Sequence, residues 1–306
     1  MLTRRLALGA AVSATLAATT FLGTAHAQSW KAAYPELVLA VVPAENASGV
    51  TERYGPFIEY LAKELGTQVT LRVANDYAAV IEGQRNGSIQ IAGYGPASYA
   101  RAVVTGVKVT PFATTMNNDG TIGYYSVFYV RADSPYKTID DLKGKNLGLV
   151  DPNSTSGNNV PRFTLNNLKI NPETYFAHVT YTGSHENAVI ALQQKTVDVA
   201  ANWWNAEDDS NLTRMASKGL AKKDDFRIIS KSDLIPNSPF AYLDSLPDDL
   251  KAAIAKAFFE APTKAKAAFD KLSDGKDREF VKVDAKAYEP VVDLIKFIDS
   301  LRKQKS

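Results

Sequence analysis

The chain of 306 residues carries 35 basic and 33 acidic side chains, 45% hydrophobic residues and no cysteine. That length holds two ordinary domains or one large α/β unit, and the composition is that of a globular protein. A nearly balanced charge with no basic run argues against nucleic acid or an anionic membrane surface as partner, and the missing cysteines exclude disulfides and thiolate zinc sites.

Residues 1–27, "MLTRRLALGAAVSATLAATTFLGTAHA", combine a basic start (Arg4, Arg5), an uncharged apolar run and an Ala25-His26-Ala27 end. That is the pattern of a cleaved secretory signal, so the expected location is the periplasm. The Thr-Arg-Arg start leaves the export route open between general secretion and twin-arginine export. Cleavage removes two positive charges and no negative one, leaving a formally neutral mature chain. No later run is long and apolar enough to span a membrane.

Next comes "ELVLAVVP" (36–43), a buried strand ended by Pro43. "VTERYGPFIEYLAKEL" places Phe57, Ile58, Leu61 and Leu65 on one helical face, with Gly66 as the stop. "QVTLRVA" is a strand, "DYAAVIEGQRNG" a helix with Asp76 as N-cap, "SIQIAGYG" a strand, and "PASYARAVV" a helix with Pro96 in its first turn. This βαβαβα order predicts a parallel sheet covered by helices.

"TIGYYSVFYVRADS" then breaks the rhythm with a long alternating aromatic strand. A second βαβ set follows: "NLGLV", a helix over 158–168, "AHVTYTG", the helix "SHENAVIALQQK" capped by Ser184 with Asn187 at the capping-box position, and "VDVAANW". The strand at 124–130 and the segment 230–243 read as two crossings between two lobes. The C-terminal third reads as helical, through "DDLKAAIAKAFFEA" and "AYEPVVDLIKFIDSLRKQ". A cleft between the lobes would lie at strand carboxyl ends, beside helix N-termini.

Signals for catalysis are poor. The chain has no H-E-x-x-H, G-x-S-x-G or P-loop lysine motif. "GYGPAS" (93–98) departs from a dinucleotide fingerprint at Pro96 and Ser98 and reads as a strand-to-helix turn. After cleavage only His178 and His185 remain. His178, inside an apolar strand pattern, reads as packing. His185 starts a helix, where its ring N–H and backbone N–H groups can meet one anion. In "DPNSTSG" (151–157), Asp151, Pro152 and Asn153 are turn formers, while Ser154, Thr155 and Ser156 fall at a helix N-cap and first turn. One hydroxyl suffices for a cap. Three would suit a tetrahedral oxyanion, and spacing alone leaves both readings open.

"DPNSTSG", "NDYAAVIEGQRNGSIQIAGYGPAS", "GYYSVFYVRADSPYKTIDDLKGKNLGL", "GSHENAVIALQQKTVDVAANWWN" and "KSDLIPNSP" occur in this chain in an order that resembles periplasmic phosphonate- and phosphite-type binding proteins of ABC importers, from about residue 37 to 260. The resemblance implies the α/β type II periplasmic-binding-protein fold: two lobes joined by two hinge crossings, with lobe I at 28–123 and 236–306 and lobe II at 124–235. It implies a monomer that captures a small phosphorus oxyanion for an inner-membrane permease, with no covalent chemistry, cofactor or metal. Position by position, Ser154, Thr155 and Ser156 match the family's oxyanion donors, and His185 its imidazole donor. Tyr77 and Tyr124 match its cleft tyrosines, and Tyr94 lies where the third strand meets the site.

The departures concern the ligand's substituent. Relatives that bind aminoalkyl phosphonates hold the ammonium with a Glu and an Asp where this chain has Asn205 and Ser238. A buried ammonium without a carboxylate costs several kcal/mol. The expectation is therefore methylphosphonate, phosphite or hypophosphite before 2-aminoethylphosphonate. Trp203 or Trp204 is a candidate to fill cavity volume, and Glu207, Asp208 and Asp209 read as a solvated acidic helix start that lies near enough to replace the lost carboxylates. Two alternatives remain: the same fold holding another oxyanion such as a sulfonate, and a secreted phosphate-ester hydrolase.

Overall fold

The computed structural model describes residues 29–303, so the expected signal segment lies outside the described residues. In chain order come β1 (Glu36–Val41), α1 (Ala47–Leu65), β2 (Gln68–Val73), α2 (Tyr77–Arg85), β3 (Ile91–Gly93) and α3 (Pro96–Val104). β1 pairs in parallel with both β2 and β3, as the alternation predicts. Local chemistry sets the helix ends. Asn46 accepts from the Gly49 N–H at 2.9 Å and starts α1 three residues before the apolar pattern begins. Gly66 ends it at φ 61°, the left-handed region that favours glycine. Asp76 caps α2 by accepting from Ala79 N–H at 2.7 Å.

β4 (Val109–Asn117) closes the first passage, and the chain enters a second sheet through β5 (Gly123–Arg131). There follow β6 (Asn146–Leu149), α4 (Val160–Asn167), α5 (Pro172–Tyr175), β7 (His178–Tyr181), α6 (His185–Gln193), β8 (Val199–Ala206), β9 (Asp209–Ser210), α7 (Asn211–Ser217) and β10 (Phe226–Lys231). β11 (Ile235–Pro236) leads back to the first sheet through β12 (Phe240–Leu243), α8 (Asp248–Lys264), α9 (Lys266–Ser273), β13 (Asp277–Lys282) and α10 (Glu289–Lys303).

The strand orders are β13-β4-β12-β3-β1-β2 and β10-β5-β8-β6-β7. β11 pairs antiparallel with the start of β5, Ile235 opposite Tyr124, so the two crossings between sheets run side by side. β5 itself is an interior strand of the second sheet; the crossing ends where it begins. β4 and β13 carry no clean alternation and are not apparent in the sequence pattern. β13 joins the sheet antiparallel to β4, placing Asp277 opposite Asn117 at the cleft.

In lobe I, Phe258 of α8 meets Phe57, Phe112 and Phe240 with ring centroids 5.0 Å away in each case, all edge-on. Each such ring contributes about 1.5–3 kcal/mol by leaving water, and the edge-to-face geometry adds to it. The second sheet is covered on both faces by separate apolar clusters, one around Val127, Tyr129 and Leu192, the other around Phe128, Val130 and Leu147. His178 does not pack as expected. It is exposed on β7, the last strand of its sheet.

Candidate functional site

The parallel strands of both sheets end at a shared cleft. Between the lobes lies a cavity of about 250 Å³, bordered by Ser154, Thr155, Ser156, His185, Tyr77, Tyr94, Tyr124, Trp203, Asn205 and Ser238, but not by Trp204, Glu207 or Asp208.

"DPNSTSG" is both turn and socket. Asp151 accepts from the Asn153 N–H at 2.7 Å, which is the turn. Ser154 caps a π-helical turn, Thr155–Asn159, that runs on into α4. A side chain at Gly157 would meet Val150 at 2.4 Å, so only glycine lets the turn close against the end of β6. The hydroxyls then gain direction. Ser154 Oγ accepts from Gly157 N–H at 3.1 Å, and Thr155 Oγ1 accepts from Ala97 N–H across the cleft at 2.8 Å. One acceptor position on each is filled by a backbone N–H, and the O–H remains available to donate. Tyr77 meets the hydroxyl of Ser154, and Tyr124 those of Thr155 and Ser156. Burial pushes the Tyr77 phenol up and that of Tyr124 up to about 12, so both remain protonated donors. Such a set concentrates donors on one point without a cationic side chain.

Tyr94 behaves differently. It borders the cavity, but its ring packs near Tyr99 in the lobe I core, and its hydroxyl has no hydrogen-bond partner among the described residues. The charges acting on that hydroxyl are Arg85 and Glu82 of α2, not groups of the cleft. Of the two tryptophans, Trp203 borders the cavity, with the Arg214 guanidinium 5.0 Å from its ring centroid. Trp204 turns to the other face of β8, against Tyr125 and Lys231.

His185 starts α6, where Ser184 accepts from Asn187 N–H at 3.1 Å; the Asn187 side chain goes to Thr182 O, so no reciprocal box forms. The ring is buried and its Nδ1 lies 3.1 Å from Asn202 Oδ1. Burial lowers its pKa to about 4, only partly opposed by Asn202.

The far end of the cavity carries charge, of which the sequence points to Asp209 as a nearby carboxylate but not to Asp277. Asp209 is not at a helix start but in the short strand β9, where it accepts from Asn205 Nδ2 at 2.8 Å. Asp277 reaches the cavity from β13 and meets the Thr115 hydroxyl. Burial raises both carboxyls, Asp277 to about 7, and the two repel each other across the lobes. The cations nearby are engaged: Arg53 with Glu45, Arg214 with Asp274 at 2.7 Å, Lys276 with Asp208 at 2.8 Å. Asp209 and Asp277 form no ion pair among the described residues.

Several of these contacts join the lobes. Lys218 pairs with Glu45 at 2.8 Å, Asn46 Nδ2 donates to Glu186 at 2.7 Å, and His185 N–H donates to Ala44 O at 3.1 Å. The cleft is thus closed. Thr155→Ala is expected to weaken ligand binding more than Ser156→Ala, because it removes a donor to the ligand and the acceptor of the Ala97 N–H. The expected losses lie within about 1–3 kcal/mol, and calorimetry on both variants checks the order.

Two α/β lobes closing on a donor-lined cavity at their strand ends define a periplasmic-binding-protein fold. A binding component of an ABC phosphonate transporter from Pseudomonas aeruginosa superposes with a TM-score of 0.78 at 28% identity, over 86% of each chain. A Prochlorococcus marinus protein solved with methylphosphonate shares the fold at a TM-score of 0.75 and 17% identity, over 87% of this chain and 98% of that one. In sequence, the phosphonates-binding periplasmic protein of Escherichia coli is 34% identical over 78% of this chain and 69% of its own. A phosphate-import protein of Mycolicibacterium smegmatis is 32% identical over 81% and 80%. The model of the periplasmic substrate-binding proteins of ABC phosphonate transporters matches residues 39–288. The chain belongs to that family.

Proposed function

We propose that this chain captures a phosphorus oxyanion in the periplasm and delivers it, as a monomer and without chemical change, to an inner-membrane ABC permease. The convergence of the Ser154, Thr155 and Ser156 hydroxyls with Tyr77, Tyr124 and His185 on one end of a closed cavity carries this reading. Tetrahedral oxyanions accept many hydrogen bonds at once, and charge-assisted ones are the strong kind. Hinge closure is driven by a ligand that touches both lobes.

The substituent has two readings. Asn205 and Ser238 favour a small uncharged group, as in methylphosphonate, phosphite or hypophosphite. The carboxyls Asp209 and Asp277 favour an ammonium, because neither is in an ion pair among the described residues, although the charge of Arg214 acts on both, that of Lys276 on Asp209 and that of Arg53 on Asp277. The cavity's 250 Å³ leaves room for it, roughly eight waters at ~30 Å³ each. Calorimetry with methylphosphonate, phosphite, hypophosphite, n-propylphosphonate and 2-aminoethylphosphonate separates them. Tightest binding of the amino compound, well beyond its propyl isostere, selects the second reading; tightest binding of the small ligands selects the first. Failure of all five removes the oxyanion reading itself.

A further inference from the structure

Asn202 does not stand out in the sequence, yet its amide fixes the chemistry of His185. Its Nδ2 donates to the His185 carbonyl oxygen at 3.0 Å, which can only accept. Its Oδ1 accepts from the Trp203 N–H at 3.0 Å, which can only donate. Those two bonds leave the amide one orientation. Oδ1 therefore faces His185 Nδ1 at 3.1 Å, and since an amide oxygen cannot donate, the proton resides on Nδ1. In a neutral imidazole the other nitrogen, Nε2, is then a bare acceptor, and it has no hydrogen-bond partner among the described residues.

The surroundings keep the ring neutral. The charged groups on the elements packed around it are Glu45 on the β1–α1 loop, Glu186 beside it, Arg214 on α7, which is paired with Asp274, Lys218 after α7, and Asp151 before the hydroxyl turn. Glu45 is held by Arg53 and Lys218, Glu186 by Lys218 and the Asn46 amide, and Asp151 by the N–H groups of Asn153 and Tyr77. Tyr77 and Tyr124 are protonated phenols. Among the influences on the ring there is burial and Asn202, and no charge.

We propose that Asn202, by holding His185 as an acceptor, makes the cleft select an oxyanion that carries one proton: a P–OH that donates to Nε2 while its other oxygens accept from the hydroxyls. This rests on the oxyanion reading above and states the ionic form taken. A dianion has to acquire a proton on binding, whether that proton ends on oxygen or on Nε2. A sulfonate or hypophosphite, neither of which has such a proton near neutral pH, meets a lone pair with a negatively charged oxygen and is rejected, which narrows the small ligands to methylphosphonate and phosphite.

The test is calorimetry on the wild-type protein with methylphosphonate and methanesulfonate from pH 5.5 to 9, each in two buffers of different ionisation enthalpy. Above the second ionisation of methylphosphonate, its affinity is expected to fall about tenfold per pH unit, with one proton taken up per ligand. Methanesulfonate is expected not to bind. Nitrogen NMR of the free protein is expected to show His185 protonated at Nδ1 alone. Asn202→Asp, which gives the ring a carboxylate partner, is expected to move the fall in affinity to higher pH and to admit methanesulfonate. Affinity that stays level through pH 9 with buffer-independent heats, or an Nε2-protonated ring in the free protein, would overturn the assignment even if methylphosphonate binds well. The wild-type measurements decide the matter if Asn202→Asp does not fold. Binding of neither anion at any pH would instead remove the oxyanion reading, and this inference with it.

Discussion

Glu45→Gln is expected to lower the unfolding free energy of the ligand-free protein by about 3 kcal/mol, the scale for breaking a buried ion pair from one side. Glu45 is 3% exposed and is bound from both lobes: by Arg53 of α1, and by Lys218 after α7 at 2.8 Å. Burial disfavours its charge, but Arg53, Arg214 and Lys218 together outweigh that, and the carboxyl is held below its ordinary value of 4.5. The sign follows from linkage. A carboxyl with a lowered folded-state pKa adds stability that is present above the unfolded value and lost as pH falls through the folded one. The cost of Glu45→Gln is therefore expected in full at pH 7 and to shrink in acid. Lys218→Met separates the two halves of the contact, since it leaves Glu45 with Arg53 and removes the bond between lobes, together with the weaker Lys218–Glu186 pair at 3.3 Å, while Glu186 keeps the Asn46 amide. It should weaken ligand binding while costing less stability than Glu45→Gln. Urea unfolding and calorimetry on both variants check this; equal losses of stability would show that Glu45 is not the hub.

What the sequence reveals follows from how local each cause is. The first three strands and helices are legible because their apolar periods, Asp76 and Gly66 act within a few residues. β4 and β13 are not, because "VTPFATTMN" becomes a strand by pairing with the distant β12 and β13, and "DREFVK" by pairing with β4 across more than half the chain. The hydroxyl cradle is legible for a similar reason. Its three donors are consecutive, and a helix cap gives a baseline that they exceed. His185 is legible as a site residue but not in its role. The expected role is an imidazole donor, whereas the contacts of Asn202, as proposed above, make the ring an acceptor. One signal for Asn202 is present, an amide in the otherwise apolar run "VAANW", whose burial needs a partner. Asp277 offers none. It lies between the two helical segments of the C-terminal third, and its position near Asp209 is a product of β13 joining β4.

That position gives the second large effect. Asp277→Asn is expected to stabilise the ligand-free protein at pH 8 and to change little at pH 4. Burial is the main cause of the raised carboxyl, which titrates at about 7 against an ordinary 3.8; the Thr115 hydroxyl, Arg214 and Arg53 oppose it only in part, and Asp209 adds to it. With the folded-state pKa above the unfolded one, stability is fully present below 3.8 and is lost as pH rises to about 7. The distance between those two values corresponds to about 4 kcal/mol as an upper limit. The side chain is half-buried at the wall of the cavity, so solvent screens part of that, and about 2 kcal/mol is the expected gain at pH 8. Thermal unfolding of wild type and variant at pH 4 and pH 8 checks it, and a gain independent of pH would mean that the carboxyl's charge is not its source. A residue whose removal stabilises the fold is retained for something other than the fold. If that is a ligand ammonium, the same variant should lose affinity for 2-aminoethylphosphonate while keeping its affinity for methylphosphonate, because an amide in place of the Asp277 carboxylate offers no negative charge and the hydroxyl cradle is untouched. Equal losses for both ligands would place Asp277 in the general architecture of the cleft and leave the ammonium without its partner.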